Sequence, residues 1–256
     1  MTVPKEPILA LRDVSKTFGA VQAVKKVSWQ VFPGEIAALV GDNGAGKSTM
    51  IKLITGALMM DEGELLVRGQ PVHIGDPVDA FHCGIAAVYQ DLALVESRNV
   101  VMNMFLGNEL THGPFSLFLD HKRMAREAQR TLDDIHSRIP SVQTVVRKLS
   151  GGQRQAVAVG RALLRGGEII IMDEPTAALG VEQTKEVLEL MQTLRARGKT
   201  VILISHNLQQ VFDVADQVSV MFHGEMAGTR RMAETSREEI VSMIVGFKTD
   251  DALAVA

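Results

Sequence analysis

Cysteine occurs once in the 256 residues, at Cys83, so no disulfide can form within the chain, and the residue reads as a small, buried or half-buried apolar group. Long apolar runs are missing as well. IAALV, at 36–40, is among the longest, far short of the about 20 residues that span a bilayer. The opening MTVPKEPILALRDV has no continuous apolar core of the kind a signal peptide needs. An excess of one charge is lacking too: 27 Lys and Arg stand against 30 Asp and Glu, a net −3, which leaves no electrostatic footprint for nucleic acid. No internal repeat and no low-complexity segment stands out. These absences point to a cytoplasmic chain that does any work at a membrane through a partner, with no nucleic-acid partner expected.

What is present is ordinary for a globular protein: 46% hydrophobic and 22% charged residues, in a chain long enough for one large domain or two modest ones. The first stretch reads as strands, ILALRDV and VSWQV, split by the polar segment KTFGAVQ. FPGE marks a turn, and IAALV is a short strand of the kind buried on both faces. A glycine-rich loop follows, then a helix, STMIKLITG, ending at Gly56. ELLVRG and AAVYQ are further strand candidates. From about Asn99 to Lys148 the pattern is mostly helical, with Met124, Ala128, Leu132 and Ile135 on one apolar face. Alternation then resumes: helix 153–165, strand EIIIMDE, helix 182–197 closed by Gly198, strand TVILIS, helix 207–215, strand QVSVMFHG, and a frayed tail, TDDALAVA. Trp29 sits in a strand pattern and reads as packing. Strands separated by helices predict an α/β fold, with a mostly parallel core sheet, antiparallel N-terminal strands and an inserted helical subdomain. The boundaries are 1–90 and 150–250 for the core and about 91–149 for the helical insert, all within one domain.

Two motifs carry chemistry. GDNGAGKST fits G-x-x-x-x-G-K-[ST] at Gly41, Gly46, Lys47 and Ser48, with a buried strand before it and a helix after it. Glycine at these positions lets backbone N–H groups close around phosphate oxygens, lysine adds positive charge, and the serine hydroxyl can ligate Mg²⁺. EIIIMDEP delivers Asp173 and Glu174 side by side at the end of a buried strand, one carboxylate for a metal shell and the next for a water attacking the γ-phosphate. A third stretch, LSGGQRQ at 149–155, looks like half of a second phosphate cradle, without a lysine.

With LSGGQ, Gln90 in VYQD and His206 in LISHN, the sequence resembles the nucleotide-binding subunit of an ABC transporter over nearly its whole length, a P-loop NTPase fold. The loop lysine and the signature stand 102 residues apart, room for one helical subdomain. The resemblance implies ATP and Mg²⁺ as cofactors. It implies that the loop through Gly41, Asn43, Gly44, Ala45, Gly46, Lys47, Ser48 and Thr49 holds the phosphates, and that Ser48, Gln90 and Asp173 serve the metal. Glu174 is the implied general base, with His206 and Gln90 beside it. Ser150, Gly151, Gly152 and Gln153 would close over a nucleotide held by another copy of the chain, so a head-to-tail homodimer is expected. Phe18, in KTFG, stands where the family stacks an aromatic ring on adenine; core packing is the alternative. In EPTAALGVEQ, Gly180 takes the place of the family's usual aspartate, which removes a carboxylate from the expected contact between subunits.

The wording around the motifs, VYQDLALVESRNVVMNMFLGNEL, SGGQRQAVAVGRAL and ISHNLQQVFDVADQV, is similar to ATPases of bacterial monosaccharide importers of the ribose, xylose and fructose class, in their single-domain form. That resemblance implies membrane permease subunits as partners, a periplasmic sugar-binding protein indirectly, and a peripheral place on the cytoplasmic face of the inner membrane. VVMNMFLG, at 100–107, is either a docking surface for the permease or internal packing. An exporter or a transporter of another substrate is the competing reading. A soluble ABC ATPase acting on nucleic acid or ribosomes lacks support in the acidic balance. A P-loop kinase or GTPase would leave LSGGQ, Gln90 and His206 unaccounted for.

Overall fold

The computed structural model describes residues 6–112 and 118–247. The tail TDDALAVA lies outside them. Strands β1 (Leu9–Phe18) and β2 (Val21–Val31) form an antiparallel hairpin. The expected break at KTFGAVQ is therefore only a turn, with Gly19 at φ +58°. Lys16 to Phe18 continue β1, and their exposed or half-exposed faces hide the strand from an apolar-periodicity reading. Strand β3 (Ile36–Val40) is wholly buried and runs into the glycine loop and helix α1 (Lys47–Ile54). Next come β4 (Glu62–Val67), β5 (Gln70–Val72), α2 (Pro77–His82) and β6 (Ile85–Val88). Asp76 caps α2 by accepting the Val78 and Asp79 N–H groups, and half-buried Cys83 at its other end packs against the core.

The stretch expected to be mostly helical is mixed. It holds α3 (Val100–Met104), a small hairpin of β7 (Thr111–His112) and β8 (Phe118–Leu119), and α4 (His121–Asp134). The 136–145 segment has no α-helix: His136 at φ +53° turns the chain, and Pro140 lacks the N–H a helix would use. The apolar face is as expected, with Met124, Ala128, Leu132 and Ile135 all buried. Of VVMNMFLG, Val100, Val101, Met104 and Phe105 are buried, so most of this segment is internal packing, with Leu106 exposed.

The remaining elements are α5 (Gly151–Leu164), β9 (Ile169–Asp173), α6 (Val181–Ala196), β10 (Thr200–Ile204), α7 (Leu208–Val214), β11 (Gln217–Phe222), β12 (Glu225–Arg231) and α8 (Arg237–Ile244). The last two were not anticipated. Strand β12 carries a glycine and alternates exposed and half-exposed residues, so it offers no apolar run to read.

Two sheets organise the molecule: β2-β1-β4-β5, antiparallel, and β12-β11-β3-β10-β9-β6, parallel except for β12. Helix α1 packs between them through Met50, Ile51, Leu53 and Ile54, against Leu9, Leu11 and Trp29 on one side and Leu39 and Ile204 on the other. The opposite face of the six-stranded sheet is covered by α5, α6, α7 and α8, continuous with the α3–α4 core. Trp29 does more than pack. Its Nε1–H donates to Ser219 Oγ at 2.8 Å, and Ser219 in turn meets Thr229 Oγ1 at 2.9 Å, a buried polar link between the sheets. In this topology β3, β10 and β9 are neighbours in parallel register. Their carboxyl ends therefore lie along one edge of the sheet, the usual side for a ligand in an open α/β sheet.

Candidate nucleotide site

The loop after β3 is shaped by three glycines with positive φ. Gly41 (φ +152°) and Gly46 (φ +106°) also lack room: a Cβ would lie 2.3 Å from the Met221 carbonyl oxygen and 2.5 Å from that of Ala23. Gly44 (φ +81°) faces open space and is needed for conformation alone. Inside the loop, Asn43 N–H is bonded to Asp42 Oδ1 and Ala45 N–H to the Asp42 carbonyl. Gly46 offers α1 no capping side chain, so the first-turn N–H groups, with exposed Ser48 and half-buried Thr49 beside them, are open to an anion. Lys47 folds across the loop, its Nζ donating to the Gly41 carbonyl at 2.7 Å and the Asp42 carbonyl at 2.9 Å. Burial pushes the Lys47 ammonium pKa down, while Glu174, Asp42 and Asp173 push it back up.

Two strands away, β9 ends in Asp173 and Glu174. Burial raises the Asp173 carboxyl above its ordinary range, the Glu174 charge raises it further, and Lys47 and Lys52 oppose the shift. Glu174 has φ +47°, a strained setting for a non-glycine residue and one that concentrates at functional sites. Its N–H donates to the Ile204 carbonyl, and its Oε1 accepts from His206 N–H at 3.1 Å and lies 2.9 Å from His206 Nδ1. The Glu174 side chain is 18% exposed and that of His206 73%, so the histidine faces solvent while the carboxylate lies beneath it. Gln90, exposed, stands two residues beyond β6. Lys52 and Asp42, which the motif reading left out, join this charge cluster; the signal was their position in and just after the loop.

Phe18 is 46% exposed at the tip of the β1–β2 hairpin, with Lys16 Nζ 5.7 Å from its ring centroid. Exposure removes the core-packing alternative and leaves a ring face for stacking.

The signature stretch opens α5. Ser150 caps the helix by accepting Gln153 N–H at 3.2 Å, and Gln153 Oε1 accepts Ser150 N–H at 3.0 Å, a reciprocal capping box. Gln153 Nε2 donates to the Arg138 carbonyl, so its whole amide is committed to holding the turn. The two glycines have a steric reason within the chain. A Cβ on Gly151 would lie 2.3 Å from Leu179 Cδ2, and one on Gly152 would lie 2.3 Å from Glu186 Oε2. Among the described residues no hydrogen bond joins this turn to the phosphate loop.

A family model described as "ABC transporter" matches residues 24–177, more than half of the chain. The chain belongs to the ABC transporter family, as its ATP-binding cassette. The cassette is 44% identical to a xylose/arabinose import ATP-binding protein of Sulfolobus acidocaldarius over 94% of both chains. It is 41% identical to a fructose import ATP-binding protein of Rhizobium meliloti, over 98% of this chain and 99% of that one. Among solved structures it resembles a nucleotide-free ATP-binding cassette from an ABC transporter, with a TM-score of 0.81, 29% identity and coverage of 96% and 98%. It is thus an ATP-binding and ATP-hydrolysing transporter subunit. No helix of the cassette, among the described residues, is long and apolar enough to cross a membrane.

Gly180 is the N-cap of α6, with φ −71°, no capping side chain, and nothing within 4 Å of where a Cβ would stand. An aspartate there could accept first-turn N–H bonds and complement the helix dipole. Gly180→Asp is therefore expected to stabilise the cassette by about 0.5–1 kcal/mol. Thermal unfolding should show a midpoint raised by about 1–4 °C; a lowered midpoint would contradict the capping geometry.

Proposed function

We propose that this cassette hydrolyses ATP at sites shared between two copies of the chain and thereby drives monosaccharide import through separate membrane permease subunits. The observation that carries the reading is end-to-end similarity to two sugar-import ATP-binding proteins, joined to a half-built second phosphate cradle at Ser150. Phe18 stacks on the adenine. The N–H groups of Gly44, Gly46 and Thr49 receive the phosphates, those of Asn43 and Ala45 join them on leaving Asp42, and Lys47 leaves its two carbonyls to pair with the β- and γ-phosphates. Ser48, Asp173 and Gln90 supply the oxygen donors that suit Mg²⁺, which typically takes one or two carboxylates and completes its shell with phosphate and water oxygens. When bound, Mg²⁺ neutralises phosphate charge. Glu174 takes the proton from the attacking water, and His206, hydrogen-bonded to Glu174 Oε1, reaches the γ-phosphate side. Ser150, Gly151 and Gly152 of the partner copy close the site, with Gln153 holding their turn in place.

The cassette then works at the cytoplasmic face of the inner membrane, while a periplasmic binding protein delivers sugar to the permease. Two measurements test this. ATPase activity of the purified chain should curve upward with protein concentration, because each site needs two copies; strict proportionality sinks the shared site. In proteoliposomes with its cognate permease, labelled xylose, arabinose, ribose or fructose should accumulate only with ATP; ATP-driven efflux, or no sugar movement with any of them, sinks the import reading.

A further inference from the structure

The segment that follows Gln90, residues 91–96, spans one wall of a cavity of about 290 Å³ lined by Gln90, Leu92, Leu94, Glu96, Arg154 and Gln155 among others. Leu92 and Leu94 pack against the core while the cavity leaves the segment unsupported on its own side, where the buried Gln155 Oε1 has no partner among the described residues. Hydrogen bonds add to that packing. Asn103 ties Val95, accepting its N–H at 2.7 Å and donating to its carbonyl at 3.1 Å. Arg98 N–H and Arg147 N–H donate to the Val95 and Glu96 carbonyls at 3.0 and 3.1 Å, and further side-chain ties come from α5. Arg154 Nη1 donates to Glu96 Oε1 at 3.1 Å, and Arg161 donates from Nη2 to the Leu92 carbonyl at 2.7 Å and from Nη1 to the Ala93 carbonyl at 2.9 Å.

Arg161 is unusual among these. It is half-buried, burial and the neighbouring Arg165 weaken its hold on its proton, and no carboxylate pairs with it among the described residues. Its charge is answered by two consecutive carbonyl dipoles. A planar guanidinium can span such a pair, whereas an ammonium cannot do so with the same geometry. The grip falls on a strained turn: Ala93 has φ +47°, and its N–H is bonded to Asp91 Oδ1. Arg154 and Arg161 lie seven residues apart, two turns and about 10 Å along one face of a rigid helix, so α5 holds the segment at two points. The same helix begins with the Ser150 capping box.

We propose that Arg161 is a positioning residue for Gln90: through the Leu92 and Ala93 carbonyls it ties the Gln90 loop to the helix that opens with Ser150. A nucleotide touching the start of α5 then sets where Gln90 stands at the other site of the same subunit. This rests on the role proposed above for Gln90.

The test uses the full-length chain with Arg161→Gln, Arg161→Lys, Gln90→Ala and the Gln90→Ala/Arg161→Gln double variant. Without nucleotide, hydrogen exchange at the Ala93 amide should quicken about tenfold in Arg161→Gln, while the Val95 amide, held by Asn103, stays protected. In steady-state ATP hydrolysis, Arg161→Gln should lower kcat about 10–100-fold with KM within about twofold, as misplacement without lost binding requires. Arg161→Lys, which keeps the charge, should recover part of both effects and serves if the glutamine variant does not fold. In the Gln90→Ala background, Arg161→Gln should cause no further loss. Equal losses in both backgrounds, a raised KM at unchanged kcat, or unchanged exchange at Ala93 would each overturn the proposal. Wild-type turnover by Gln90→Ala alone would instead remove the role of Gln90 itself, a separate outcome.

Discussion

Glu174→Gln is expected to lower kcat by about two to four orders of magnitude, the range for loss of a positioned general base, while leaving nucleotide binding intact. The structure explains why binding survives. Glu174 Oε1 already accepts His206 N–H, and a glutamine oxygen can keep that bond; the strained backbone at φ +47° is unchanged by the substitution. What disappears is the carboxylate that can take a proton from water. With hydrolysis blocked and both halves of the cradle still able to close on ATP, the variant should run as a dimer in sizing chromatography with ATP and as a monomer without it. Turnover at the wild-type rate would remove Glu174 from the role of base.

Asp173→Asn should move activity and stability in opposite directions. Burial and the Glu174 charge raise the Asp173 carboxyl, so folding favours its protonated form. The stability this group contributes is full below the unfolded value, near 3.8, and is lost as pH rises through the higher folded value. Lys47 and Lys52 recover part of that loss without reversing it, since burial is the larger effect. An asparagine never ionises. The nucleotide-free variant should therefore melt above the wild type at pH 7, with the gap closing as pH falls towards 4. Activity should drop by about 100-fold or more, because in the role proposed above Asp173 would help to hold Mg²⁺, whose charge stabilisation would be worth several kcal/mol. The rise in melting temperature caused by Mg-ATP should shrink with it. A variant less stable than the wild type at pH 7, with an undiminished response to Mg-ATP, would refute the pairing of Asp173 with the metal.

Much of this site was legible because its parts are local. IAALV and IIIM are short, wholly apolar, buried runs, each delivering its chemistry at the next residue. The apolar face from Met124 to Ile135 was equally plain. Harder to read were contacts that exist only through sheet register. Glu174 meets His206 because β9 and β10 run parallel with Asp173 opposite Ile204, which no spacing along the chain announces. The Arg161 grip on Leu92 and Ala93 joins residues almost seventy positions apart. The β1–β2 turn and β12 were obscured for another reason: edge and hairpin-tip residues face water, so polar side chains interrupt the pattern without interrupting the strand.

The close seat of Gly151 and Gly152 bears on how mixed dimers behave. A side chain at Gly151 would push on Leu179, five residues past Glu174 in the same polypeptide, and one at Gly152 would push on Glu186 of α6. Both obstacles are side-chain ends and can swing aside, but the first belongs to the loop that leaves the catalytic carboxylate. If the sites are shared as proposed, a lesion at Gly151 is expected to act in cis as well as in trans. Pairing one wild-type copy with one such mutant would then not isolate a single damaged site, and complementation between a signature mutant and a phosphate-loop mutant is expected to be poorer than a simple exchange of halves would allow.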